Sequence, residues 1–146
     1  MGKTLRSLIV MEYIYNPSGF DWMNIKLTKH NKYTYHHIAE RKNGGDDSVE
    51  NGAILTAIAH NFLNVLEQYC PEAYNDLQNV FIRINASHVP PSYEIMSEVD
   101  QILHDVFYTD KYRLNTKDLP SKSLHKYIMA RGAYITSRKK LEKCLK

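Results

Sequence analysis

Lys122, Lys126, Arg131, Arg138, Lys139, Lys140 and Lys143 crowd the last quarter of the chain, with Tyr127 and Tyr134 between them. Lysine and arginine neutralise phosphates and release counterions, and a tyrosine ring stacks on a base or packs on a sugar. The pattern predicts contact with RNA or DNA, with Lys122, Lys126, Arg131, Arg138, Lys139 and Lys140 on the phosphates. A solvated lysine-rich helix would carry the same residues. Seven histidines raise acid–base or metal chemistry. His36 and His37 are neighbours in an expected strand and so face opposite sides. His30, His60, His88, His104 and His125 show no HExxH or other ligand spacing, which leaves His60 and His104 on helix surfaces. Asp47 and Glu50, three apart before an apolar periodic run, read as an Asp-x-x-Glu form of the capping box. Gly2-Lys3-Thr4 lacks the glycine-rich loop of a P-loop, and no Gly-x-Ser-x-Gly or Cys/His nucleophile pattern is present.

The chain of 146 residues suits one domain. Its 43% apolar and 24% charged residues exclude wholesale disorder. No apolar run approaches the roughly 20 residues that span a bilayer, and the run Leu8–Met11 is too short for a secretory signal. Cys70 and Cys144 form neither a disulfide framework nor a CxxC zinc pair. These features predict a cytoplasmic protein with no membrane partner. The net charge of +3 conceals an asymmetry. Residues 1–110 hold 8 Lys/Arg against 14 Asp/Glu, whereas residues 111–146 hold 11 against 2. An acidic body with a basic end is a candidate phosphate-binding surface.

The elements that would position these groups follow from periodicity. Thr4–Tyr15 is rich in Leu, Ile, Val and Tyr and reads as a strand buried on both faces. Asn16-Pro17-Ser18-Gly19 is a turn. Phe20–Thr28 and Tyr33–Ala39 alternate as second and third strands of a meander. A helix is expected from about Ser48 to Tyr69, ended by Pro71. Val80–Ile84 reads as a fourth strand, parallel to the first. Pro90-Pro91-Ser92 opens a helix to about Tyr108, Lys111–Leu114 is a brief edge strand, and a basic terminal helix spans about 120–143.

The resulting order, β-β-β-α-β-α-(β)-α, describes an α/β domain with a mixed sheet and resembles the ribonuclease H-like fold. Asp47-Ser48-Val49-Glu50-Asn51-Gly52-Ala53 through Ile58 is similar to that family's first helix, which carries a catalytic Glu in its first turn followed by alanine-rich turns. The resemblance implies a two-Mg²⁺ phosphodiesterase site, in which the metals activate a water and stabilise the leaving oxygen. It assigns Glu50 and Glu12 as catalytic residues and Glu50, Glu12, Asn85 and Asp118 as metal ligands. Asn85 stands where the family has an acid and offers a neutral oxygen. The implied protein is a nucleic-acid-binding member with a degenerate or weak nuclease site. Two alternatives stay open: an active Mg²⁺-dependent ribonuclease on RNA–DNA hybrids, and a non-catalytic module binding a protein partner.

Overall fold

The computed structural model describes the backbone of residues 1–145 and the side chains of residues 1–140. Its elements are α1 (Lys3–Tyr15), β1 (Tyr33–His37), β2 (Gly52–Thr56), α2 (Ala57–Tyr69), α3 (Pro71–Ser87), α4 (Tyr93–Tyr108) and α5 (Ser121–Leu145). The α/β reading with a mixed, ribonuclease H-like sheet is overturned. Among the described residues the sheet consists of β1 and β2 alone, paired antiparallel.

Three assignments account for the difference. Thr4–Tyr15 forms α1, with Leu8, Met11 and Tyr15 buried on one face. Leu5, Ile9 and Tyr13 fill the opposite face and are exposed. Apolar residues on both sides imitate a doubly buried strand. Val80–Ile84 lies inside α3, where Leu77, Val80, Phe81 and Ile84 recur at i, i+3, i+4 and i+7. Pro71, expected to end one helix, also starts the next as its first residue. The segment from Phe20 to Asn31 is an irregular loop held by bridges between Phe20 and Lys26 and between Thr28 and Asn31. Asn24 takes a positive φ within it.

The helix expected from Ser48 is divided. Val49–Asn51 is a single 3-10 turn, β2 follows, and α2 begins only at Ala57. All five residues of β2 are buried, so the strand lacks the alternation that would have marked it. The Thr56 side chain accepts a hydrogen bond from the Ala59 amide and caps α2. Asp21 fastens the same joint. Its carboxylate accepts from the Thr56 amide and hydroxyl at 2.7 Å and from the Met23 and Ile25 amides. Lys111–Leu114 is not a strand. The expectations for β1, the end of α2, α4 and the start of α5 agree with the structure, and Ser92 caps α4 through the Ile95 amide.

The hairpin and α2 form the centre, with α1 against the sheet and α5 against α2. Tyr15, Trp22, Phe62, Phe81 and Tyr134 are among its largest fully buried side chains. Removing one such ring would cost about 3–5 kcal/mol.

Candidate active site

The hairpin runs directly into α2, so the first turn of that helix returns beside β1. This brings His60 to His36, with ring centroids 5.3 Å apart and planes at 80°. His37 lines the same cleft of about 270 Å³, together with Glu40, Arg41, Asn64, Glu67 and Tyr74. His60 is therefore not the surface residue expected, whereas the strand neighbours keep to opposite sides as expected: His36 meets His60 and Gln78, and His37 meets Tyr35 and Asp47.

Each of the three imidazoles has one nitrogen engaged, and its partner assigns the tautomer. The Thr34 hydroxyl donates to the Leu55 carbonyl at 2.7 Å. Its oxygen therefore accepts from His60 Nδ1–H at 2.9 Å, which leaves Nε2 with its lone pair. The Gln78 Nε2 donates to the Ile38 carbonyl at 2.7 Å, so its Oε1 faces His36. That oxygen accepts from His36 Nε2–H at 2.7 Å and leaves Nδ1 free. Asp47 Oδ1 accepts from His37 Nε2–H at 2.7 Å, again leaving Nδ1 free. Burial pushes His36 down to about 4 and also lowers His60, so both stay neutral near pH 7.

Asp47 is set by the loop between the strands. Arg41 grips its carboxylate in a fork at 2.6–3.0 Å. The hydrogen bond from His37 and the Arg41 guanidinium hold the Asp47 carboxyl below its ordinary range. Asn51 closes the loop: its Oδ1 accepts from the Ala39 amide, and its Nδ2 donates to the Ala39 and Asp46 carbonyls, each at 2.8 Å. A Cβ at Gly45 would overlap the Ala39 carbonyl, so the closed loop requires glycine there. Ser7 of α1 donates its hydroxyl to the Asp47 carbonyl at 2.6 Å. Across the cleft, the carboxyl–carboxyl interaction of Glu40 with Glu67 raises Glu67 and lowers Glu40. Lys42 lies 3.1 Å from Glu40.

The resemblance-derived ligands lie elsewhere. Glu12 is half-buried on α1 and Glu50 is exposed in the 3-10 turn before β2. Asp118 is exposed in another 3-10 turn, Thr116–Asp118. Asn85 is buried. Its Nδ2 donates to the Val49 and Gly52 carbonyls at 2.8 Å, and its backbone carbonyl accepts from the Tyr15 hydroxyl, so it works as a structural clasp. Among the described residues no three His, Cys, Asp or Glu side chains form a ready-made metal group. The Asp47–Glu50 capping box is also absent, since Ser48 holds the cap position and Asp47 serves His37.

The basic residues of α5 divide into two sets. Arg138 pairs with Asp100 at 3.1 Å and lies over Tyr134, and Arg131 lies over Tyr108. Lys122 and Lys139 are exposed, as is Lys140, whereas Lys126 is half-exposed. Tyr134 is 1% exposed, and Tyr127 packs on Phe62 and Phe107, so neither ring is presented to a base. Lys143 and Cys144 lie outside the described side chains.

Comparison with protein-family models, with curated proteins and with solved structures gave no match. Among the described residues no helix is long and apolar enough to cross a membrane.

Proposed function

We propose that the histidine cleft is a hydrolytic centre acting on phosphodiester bonds of nucleic acid. The observation that carries this reading is the free Nδ1 of His37, with Asp47 on its opposite nitrogen. A general base needs a lone pair facing the substrate and a fixed tautomer, and the Asp47 carboxylate stabilises the imidazolium formed when His37 takes a proton from water. His36 Nδ1 and His60 Nε2 are the cleft's available ligand nitrogens. Two imidazoles on one tetrahedral ion have centroids about 5 Å apart, given metal–nitrogen distances of about 2.0–2.1 Å, and the observed spacing fits that geometry. Neutral imidazole suits a divalent transition ion better than Mg²⁺, which prefers oxygen. Such an ion, when bound, would polarise a phosphoryl oxygen and retain open positions for water and substrate.

The exposed lysines of α5 favour a polyanionic substrate. In this reading Lys122, Lys126, Lys139 and Lys140 contact phosphates, and Arg131 and Arg138 serve the fold. A cytoplasmic location belongs to the same proposal and rests on the cysteine usage of the sequence. The test is cleavage of plasmid DNA and of single-stranded and hybrid substrates with Mn²⁺, Ni²⁺, Zn²⁺ or Mg²⁺, and with EDTA. Cleavage with a transition ion, abolished by EDTA and by His37→Ala, is expected. Equal cleavage by the wild type and His37→Ala would overturn the assignment.

A second reading, a protein-interaction module, draws on the outer face of α1. Leu5 and Ile9 are each 49% exposed and Tyr13 is 89% exposed, one helical turn apart. Capture of a saturable protein partner that is lost in Ile9→Asp would support it.

A further inference from the structure

A groove of about 350 Å³ lies between α5 and the loop that precedes β1, a volume in the range that holds small organic ligands. Ile58, Ile128, Met129 and Ala133 supply its apolar wall, and Lys26 and Lys140 are its charged residues. Ile128 and Met129 are 57% and 45% exposed, so the wall is not closed by the chain itself. Its uncharged polar groups are largely committed. Asn31 Oδ1 accepts from the Ile58 amide, and Asn31 Nδ2 donates to the Lys26 carbonyl. Ser137 accepts from the Lys26 amide and donates to the Ala133 carbonyl. Both charged groups that line the groove are cations beside an apolar surface, the Lys26 ammonium also lying over the Phe20 ring at 5.1 Å.

Gly132 is the second observation. A glycine inside a helix costs about 1 kcal/mol relative to alanine. A Cβ there would meet nothing within 4 Å, so no contact within the chain requires its absence. The missing side chain instead deepens the groove that Gly132 lines. We propose that this groove binds a medium-chain fatty carboxylate, with the alkyl chain crossing Gly132 against Ile58, Ile128 and Met129 and the carboxylate held by the lysine ammonium groups. The inference rests on none of the cleft residues.

The experiment is calorimetric titration of the full chain with hexanoate, octanoate and decanoate below their micelle concentrations, with octan-1-ol as the uncharged control. Affinity should rise by up to about fourfold per added methylene, since burying one is worth about 0.8 kcal/mol. Octanoate should bind more tightly than octan-1-ol. A Lys26→Ala/Lys140→Ala variant should lose that preference and keep the chain-length trend. Gly132→Leu should abolish binding, while Gly132→Ala keeps the chain folded. A flat chain-length series, equal affinity for octanoate and octan-1-ol, or wild-type binding by Gly132→Leu would overturn the proposal. Should Gly132→Leu fail to fold, the double lysine variant decides, because Lys140 is exposed, Lys26 is half-exposed and neither belongs to the buried core.

Discussion

The Gln78 side-chain oxygen lies 2.7 Å from His36 Nε2, and that contact decides which nitrogen of His36 is left to a ligand. The orientation of Gln78 is in turn fixed by the Ile38 carbonyl. A residue on α3 thus sets the chemistry of one on β1. Gln78→Met would keep the volume and remove the acceptor. Nitrogen-15 NMR of the His36 ring should then show mixed tautomers in place of one protonated at Nε2. Transition-ion affinity should fall about 10–100-fold, as for other partners of metal-binding histidines.

His37→Ala and Asp47→Asn test the base separately from the ligands. Loss of a positioned general base slows hydrolysis by about 10²–10⁴-fold. Asp47→Asn keeps an acceptor and removes the charge that steadies the imidazolium, so kcat should fall while substrate affinity stays near wild type. The thermal midpoint should change little for His37→Ala, whose ring is partly exposed. A kcat unaffected by Asp47→Asn would separate Asp47 from catalysis.

Stability in EDTA should respond to pH through two buried groups of opposite sign. Burial pushes Asp21 up to about 6 despite its hydrogen bonds from Thr56, Ile25 and Met23. The native state therefore holds that proton more tightly than the unfolded chain, and Asp21 makes the fold less stable as pH rises from about 4 to 6. Burial lowers His36 to about 4, so the unfolded chain takes up its proton first. His36 makes the fold less stable as pH falls from about 6.5 to 4, each effect being worth about 3 kcal/mol. The two largely cancel in the wild type. Melting curves of Asp21→Asn should show steep acid loss over that window, and those of His36→Gln a midpoint that falls as pH rises.

Salt titration of nucleic-acid binding addresses α5. Each lysine that meets a phosphate contributes about 0.9 to the slope of log affinity against log salt. Changing Lys122, Lys126, Lys139 and Lys140 to alanine should flatten the slope and leave the thermal midpoint unchanged. Arg138→Ala should instead lower the midpoint, because it leaves the half-buried Asp100 without its cation. Fluorescence anisotropy and melting curves on the same samples separate the two outcomes.

Asn51→Ala removes three hydrogen bonds that close the loop carrying Asp47. The expected loss is about 1–3 kcal/mol, with hydrolysis falling more than stability alone explains. Hydrogen exchange at the amides of residues 38–51 would show whether the loop opens.

Legibility from sequence followed local chemistry. Ser92 after two prolines and Ser121 after Pro120 mark real helix starts, and the alternation of Tyr33–His37 marks a real strand. Gly52–Thr56 was hidden because every residue is buried and the next residues continue an apolar helical pattern. Leu5, Ile9 and Tyr13 turned an amphipathic helix into an apparent strand by covering its outer face. The catalytic candidates depended on these errors. His37 lines the cleft from the last position of β1, and His60 joins His36 only because β2 intervenes between Asn51 and Ala57. Twenty-four residues separate His36 from His60, a distance that a hairpin closes and that ligand-spacing rules for one helix do not cover. The adjacent pair followed by Asn51 and His60 was the available signal, and it needed the hairpin to be read.

The Ser7 hydroxyl donates a hydrogen bond to the Asp47 carbonyl across 40 positions of sequence. The same helix that reaches inward to the base-bearing loop turns an apolar flank outward. A molecule settling on that flank would sit on the helix whose Ser7 holds the Asp47 loop. Any coupling between that molecule and a substrate beside His37 would be reciprocal: a factor imposed by the first on the affinity of the second is returned by the second.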